Sequence, residues 1–246
     1  MIGMVLAAGA GRRLRPYTDT LPKALIPVDG DTTILDIALA NLAAVELRDV
    51  AIVVGFAAHT VAERQADLER RHGVSITLVH NDKAEIWNNA YSMWMAREVM
   101  ADGALVVNGD TVHPATVEQT LLSSRGDAGV LLAVDTTKPL AEEEMKVTVD
   151  ADGALTRISK LVDPPTAYGE FIGVSLVEAH AAPALAAALR ATWERDPDDY
   201  YEDGYQRLVD EGGARFHLAA IVPGTRWVEV DNADDLRTAR DIACRY

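Results

Sequence analysis

The sequence predicts an α/β protein, a doubly wound, Rossmann-like mixed sheet flanked by helices, in one domain over residues 1–246. Three observations lead there. Continuous apolar runs of strand length, such as VAIVVG at 50–55 and ALVVN from 104, suit strands buried on both faces of a parallel sheet. Segments of helical period lie between such runs, so the first half reads βαβαβ. No Gly-, Ser- or Pro-rich linker, internal repeat or low-complexity tract divides the chain.

Met4-Val5-Leu6 is the first strand and breaks into small residues. Asp31-Thr32-Thr33 can cap a helix whose apolar positions are Ile34, Leu35, Ile37, Ala38, Leu42 and Ala43. A strand at 50–55, a polar helix at 60–71 and a strand at 75–81 follow, with Gly73 ending the helix. Residues 85–100, EIWNNAYSMWMAREVM, read as a helix with Trp87, Tyr91, Trp94 and Met95 on one side. The run 104–110, ALVVNGD, is a strand that delivers a carboxylate to its carboxyl edge. The second half adds strands at 129–135, 145–150, 154–160 and 171–177, with Asp150-Ala151-Asp152-Gly153 as a hairpin turn. Helices are expected at 178–191 and 200–211, strands at 215–221 and 226–230, and a last helix at 232–243. VDPPT at 162–166 is expected to be a mobile loop.

The 38 acidic and 23 basic residues give a formal charge of −15, which repels nucleic acid and anionic membranes. A cationic loop near the amino terminus is a local exception. Cys244 is the lone cysteine, so neither an intramolecular disulfide nor a cysteine metal cluster is expected, and a reducing compartment follows. The segment MIGMVLAAGAGRR carries its charge after the apolar stretch, the reverse of a secretory signal, and no run approaches about 18 apolar residues. A cytoplasmic protein with no membrane insertion is expected.

The opening stretch VLAAGAGRRLRPYTDTLPKALIPV, residues 5–28, has the build of a phosphate cradle. Missing side chains let backbone N–H groups approach an anion, and the following cations neutralise it. Leu14 stands where a dinucleotide fingerprint needs its third glycine, and no glycine here precedes a lysine as a P-loop requires. The stretch resembles instead the signature of the sugar-phosphate nucleotidyltransferase superfamily. Leu6, Ala7, Ala8, Gly9, Gly11, Arg13, Leu14, Pro16, Thr18, Pro22, Lys23 and Leu25 fall on it, and Arg12 replaces the usual Ser or Thr. VHNDKAEIWNNAYSM, YGEFIGVSLV, DDYYEDGYQ and RWVEVDNADDL are similar to the cytidylyltransferases that activate phosphocholine, other phospho-alcohols and aminophosphonates. The fold implied is the nucleotide-diphospho-sugar transferase type.

The resemblance implies roles for individual residues. The loop Leu6, Ala7, Ala8, Gly9, Ala10, Gly11, Arg12 and Arg13 would bind the nucleotide. Arg13 would hold the phosphates that leave as pyrophosphate, and Lys23 the α-phosphate and the acceptor. Solvated surface is the favoured reading for Arg12 and Arg15. Asp110 matches the family's G-D aspartate. Glu229 and Asp231, two apart on a strand, emerge on one face and can close with Asp110 on a hard cation, Mg²⁺. Asp234 and Asp235 belong in the first turn of the last helix. Asn88 and Asn89 lie where the family contacts the nucleobase, and amides can read a pyrimidine edge. Lys160 matches a lysine that grips the acceptor phosphate. Ser159 replaces the glutamate beside it, which weakens the case for a hexose 1-phosphate. Tyr91, Trp94, Tyr201 and Glu202 are candidates for a cationic acceptor, because quaternary ammonium binds over aromatic faces. Trp87, Tyr200 and Asp203 join that set, although aromatics at helical spacing are more often core.

The resulting expectation is a Mg²⁺-dependent nucleotidyltransferase that takes CMP from CTP to a small phosphate or phosphonate acceptor and releases pyrophosphate. A sugar 1-phosphate nucleotidyltransferase using UTP, dTTP or GTP is the alternative within enzymes. A non-catalytic nucleotide sensor is the alternative outside them. The residues leave a homo-oligomer open.

Overall fold

The structure is a computed structural model and describes residues 1–244. In chain order the strands and helices are β1 (Ile2–Leu6), β2 (Pro27–Asp29), β3 (Thr32–Thr33), α1 (Ile34–Ala44), β4 (Asp49–Val54), α2 (Ala58–His72) and β5 (Ser75–His80). Next come α3 (Asn89–Met95), β6 (Ala104–Asn108), β7 (Thr111–Val112), α4 (Thr116–Ser123), β8 (Val130–Asp135), β9 (Lys146–Val149), β10 (Leu155–Ser159) and β11 (Gly169–Val177). The chain continues through α5 (Ala182–Arg195), α6 (Tyr201–Asp210), β12 (Phe216–Ala220), β13 (Val228–Glu229) and α7 (Ala233–Ala243).

A nine-stranded mixed sheet forms the centre. Its parallel part runs β5-β4-β1-β6, and β11 adds antiparallel to β6. One end of β11 then pairs with β9, and most of its length with β8, to which β12 adds in parallel. All nine residues of β11 and all six of β8 are buried, as strands covered on both faces must be. On one face Leu39, Leu42, Val61, Leu68, Val117 and Leu121 bring α1, α2 and α4 against the sheet. On the other, Met93, Leu185, Leu189, Tyr205 and Leu208 bring α3, α5 and α6. A third cluster, with Ile26, Val28, Val230, Leu236 and Ile242, packs α7 over β2. Among the described residues no helix is long and apolar enough to cross a membrane.

Register puts the functional loops on one edge. Leu6 lies opposite Val53 on one side and Asn108 on the other, so the chain leaves β1, β4 and β6 together. The Ala7–Gly11 loop, Gly55 and Gly109-Asp110 therefore gather at the carboxyl edge, where open α/β sheets bind ligands.

Some elements differ from the sequence reading. The helix expected at 85–100 is only Asn89–Met95: Ile86 and Trp87 donate to the Lys83 carbonyl in a turn, and Asn88 is the N-cap. The helix expected from 178 starts at Ala182, with a proline in its first turn. The strand expected at 226–230 is a two-residue ladder with β7. Residues 162–166 contain a 3₁₀ turn, Pro164–Thr166, where the Thr166 hydroxyl donates to the Asp163 carbonyl. The hairpin turn is as expected, with Asp150 accepting from the N–H groups of Asp152 and Ala154.

Candidate active site

The cleft at the carboxyl edge is built from three segments distant in sequence. Gly11 has φ +58°, a left-handed conformation that glycine adopts without strain, and turns the loop into a 3₁₀ turn at Arg12–Leu14. A Cβ there would stand 3.0 Å from the Lys23 Cβ, so the glycine also lets the two cationic segments pack together. The Thr18 hydroxyl and the Leu14 N–H both donate to the Gly11 carbonyl. From Ala8 to Arg13 no backbone N–H finds a backbone carbonyl among the described residues, which leaves donors for an anion.

The carboxylates are placed by pairing. Thr111 sits opposite Glu229 in the β7–β13 ladder, and the Val230 N–H donates to the Asp110 carbonyl at 2.8 Å. Asp231 is then fixed from behind, because Asp235, in the capping box of α7, accepts from the N–H groups of Asp231 and Asn232. One oxygen each from Asp110, Glu229 and Asp231 lies within 4.8 Å of the others.

Lys23 ties this group together. Its side chain is nearly buried, and Nζ donates to Asp110 Oδ2 at 2.9 Å and to Asp231 Oδ1 at 2.6 Å. Arg13, at the open mouth, donates to Asp231 Oδ2 at 2.7 Å. Burial alone would lower the Lys23 pKa, but the charges of Asp110 and Asp231 outweigh it and raise it. For Asp231, burial pushes upward, and Lys23 with Arg13 brings the carboxyl below its ordinary value. Glu229 forms no ion pair among the described residues, and the charges of Lys23 and Lys160 act on it only weakly. The cleft walls displace water around it and Asp110 and Asp231 repel its charge, so its pKa is raised although its surface still meets solvent.

These residues fit a divalent metal ion. Three carboxylates converge, and Asp110 Oδ1 is buried without a hydrogen-bond partner among the described residues. A hard cation takes such oxygens as ligands.

Around this centre the cleft is lined by Leu6, Ala8 and Gly9, by Trp87, Asn88, Asn89 and Ser92, and by Lys160, Tyr200 and Glu202. Glu202 is 5% exposed and its Oε2 has no hydrogen-bond partner among the described residues. Burial, with Asp203 adding, lifts its pKa to about 7. Lys160 Nζ stands 5.3 Å from the Tyr200 ring centroid.

Several expected residues lie elsewhere. Ala7 is 4% exposed and its N–H is committed to the Val53 carbonyl. Ala10 and Gly11 shape the loop without lining the cleft, and exposed Arg12 donates instead to the Glu85 carbonyl. Tyr91 and Trp94 turn away from the cleft onto Trp193 of α5, at ring-centroid distances of 5.3 and 5.2 Å. With Trp87 these rings fill one another's faces, so they brace α3 on α5 and form no open cage. Tyr201 is fully buried, and its hydroxyl donates to Asn108 Oδ1 beneath the cleft. The Asn88 amide, which borders the cleft, is spent on capping α3 and on the Asp198 carbonyl, and Asn89 Oδ1 accepts the Tyr201 N–H.

Ala84, Ser92, Asn108, Met145, Phe171 and Gly173 line the cleft and were not singled out in the sequence. Gly173 carried a signal, since a glycine inside an apolar strand run marks a bulge or close approach. It has φ +78°, and a Cβ there would stand 2.6 Å from the Asn108 amide nitrogen.

A glycine cradle, two fixed cations and three convergent carboxylates at the edge of a doubly wound sheet define a site for handling nucleoside phosphates. The sequence matches the model of the Nucleotidyl transferase family over residues 2–169, and the chain belongs to that family. It is 32% identical over 244 residues to the CMP-5'-(3-aminopropyl)phosphonate synthase of Streptomyces rubellomurinus, an alignment covering 96% of this chain and 38% of the relative. It is 34% identical over 106 residues to the choline-phosphate cytidylyltransferase of Streptococcus pneumoniae, covering 43% of each. These alignments thus cover less than half the length of each of the two relatives. The inositol-1-phosphate CTP transferase of T. maritima shares the fold, with TM-score 0.81, 21% identity, and coverage of 98% of this chain and 94% of that one.

Proposed function

We propose that this chain, as one nucleotidyltransferase domain, transfers CMP from CTP to a small phosphate or phosphonate acceptor and releases pyrophosphate. The observation that carries the reading is Lys23 bridging Asp110 and Asp231 against the glycine loop, with Arg13 at the mouth of the cleft on the same Asp231. The acceptor oxygen attacks the α-phosphorus; one P–O bond forms there as the bond to the β-phosphoryl oxygen breaks, and pyrophosphate leaves with its negative charge. Lys23 neutralises the α-phosphate and the incoming anion, and Arg13 the departing phosphates. The acceptor's own oxyanion is the nucleophile, so no side chain becomes covalently attached. Asp110, Glu229 and Asp231 would hold Mg²⁺, which when bound supplies further positive charge to the phosphate oxygens.

Two features support an acceptor with a cationic tail. Glu202 lines the cleft with Lys160 and Tyr200, and its buried Oε2 has no hydrogen-bond partner among the described residues. Two relatives are named for choline phosphate and for an aminopropylphosphonate product. Ser159 beside Lys160 leaves a hexose ring without the carboxylate that would hold its hydroxyls. A cytoplasmic location belongs to the same proposal.

The test is pyrophosphate release from CTP, UTP, dTTP and GTP, each with phosphocholine, 2-aminoethylphosphonate and glucose 1-phosphate, with and without Mg²⁺. Release confined to CTP, an amino- or choline-bearing acceptor and Mg²⁺ is expected. Preference for glucose 1-phosphate with dTTP or UTP would replace the proposal by a sugar nucleotidyltransferase, and CTP binding without release in any combination by a nucleotide sensor.

A further inference from the structure

Gly55 follows β4 at the carboxyl edge and lies between two walls of the cleft. A Cβ at this position would stand 2.2 Å from the Ala84 Cβ, and 3.1 Å from both the Ala8 Cβ and the Ala8 carbonyl oxygen. Ala8 and Ala84 both line the cleft. Carbon atoms rest at about 3.5 to 4.0 Å, so a methyl group at Gly55 has to drive one wall outward by more than roughly 1 Å.

Neither wall is free to yield without disturbing the cleft. The Ala8 carbonyl accepts the Phe56 N–H at 3.1 Å, and the Ala7 N–H donates to the Val53 carbonyl at 2.9 Å. The Ala84 segment hangs on Asn81, which is 2% exposed. The Asn81 N–H donates to the Val54 carbonyl at 2.8 Å, its Oδ1 accepts the Lys83 N–H at 2.8 Å, and its Nδ2 donates to the Ser92 hydroxyl at 2.8 Å. The Trp87 N–H closes the turn on the Lys83 carbonyl at 2.8 Å. A shift of Ala84 therefore travels to Trp87 and Ser92, which line the same cleft.

We infer that Gly55 is a positioning residue for the nucleobase: by carrying no side chain it lets the Ala84 wall close on the Ala8–Gly9 wall and fixes the slot between them. The inference rests on the reading that a nucleoside triphosphate binds here. The phosphate side is held by Arg13, Lys23 and the N–H groups of the loop beyond Gly9 that are unpaired among the described residues, while the tightest approach of an added methyl group is to Ala84, so the slot and the phosphate site respond separately to substitution.

Calorimetric titration with CTP and with inorganic tripolyphosphate, both with Mg²⁺, tests this on Gly55→Ala, on Ala84→Gly and on the double variant. Tripolyphosphate has the phosphates without a base. Gly55→Ala is expected to weaken CTP binding on the order of tenfold and to leave tripolyphosphate binding unchanged. Adding Ala84→Gly removes the nearest of the atoms that the new methyl group meets, and should restore CTP affinity to within about threefold. Unchanged CTP affinity in Gly55→Ala, equal weakening of both ligands, or no rescue in the double variant would each overturn the inference alone. Failure of the unsubstituted chain to bind CTP would overturn the nucleotide reading and this inference with it.

Discussion

Replacing Lys23 with methionine keeps the side chain's length and removes its charge. In the native cleft Nζ serves Asp110 Oδ2 at 2.9 Å and Asp231 Oδ1 at 2.6 Å, while Asp231 has Arg13 as a second partner. Among the described residues Asp110 has no second partner: its Oδ1 is already unpaired, so the substitution leaves both its oxygens without a donor there. Breaking a buried ion pair costs about 3 to 5 kcal/mol. The low end, about 3 kcal/mol, applies because the Asp110 and Asp231 side chains keep 26% and 28% of their exposure. For a chain of this size that is a fall in Tm of roughly 6 to 12 °C. Added Mg²⁺ should recover more of the loss in the variant than it adds to the native protein, because no ammonium then competes for the same oxygens. Turnover is expected to fall on the order of 10² to 10³-fold, the cost of removing one preorganised charge from a transition state. Steady-state pyrophosphate release and thermal melts with and without Mg²⁺ measure both. Turnover within tenfold of native, with the melting temperature also unchanged, would refute the reasoning, since the lysine could then be neither a catalytic cation nor the partner of two carboxylates.

Asp36 caps α1 through Thr33 and also accepts from Arg71 and His72 of α2. Burial pushes its carboxyl upward, but hydrogen bonds from His72 and Thr33 and the charge of Arg71 bring it down to about 2 from 3.8. A lowered pKa gives stability above pH 3.8 that is lost as pH falls through about 2, so urea melts of Asp36→Ala should lie about 2 kcal/mol below native at pH 7, and converge with it near pH 2. A constant gap across that range would dismiss the electrostatic account. Glu170 shows the opposite sign: it is 4% exposed, and burial outweighs its bond with Lys138 and lifts it to about 7 from 4.5. Ionising it costs stability as pH rises from 4.5 through 7, so the native protein should lose stability over that window relative to Glu170→Gln, and parallel pH profiles would count against it.

The sequence alone determined the fold class and the charged centre, because both rest on patterns that are local. Apolar runs bounded by turn residues predicted the central strands, and the family resemblance, added to their spacing, grouped Glu229 with Asp231, although the strand itself ends at Glu229. The cations were legible for a similar reason: Arg13 and Lys23 stand in one contiguous motif, and the loop between them has few ways to close. Tertiary structure alone decided what the remaining side chains face. Helical period grouped Trp87, Tyr91 and Trp94, although Trp87 lies in the turn before α3; a period names a stripe and not its neighbour, and the neighbour of Tyr91 and Trp94 is Trp193, from a helix about a hundred residues away. Asn88 and Tyr201 have the chemistry to bind a ligand, yet the backbone of Asp198 and the amide of Asn108 reach them first. Gly55 closes an apolar strand run with nothing local to set it apart as a site residue, and its importance arises only where the chain leaving β4 passes between Ala8 and Ala84. Long-range packing allocates each polar and aromatic group among competing partners, and that competition is settled in three dimensions.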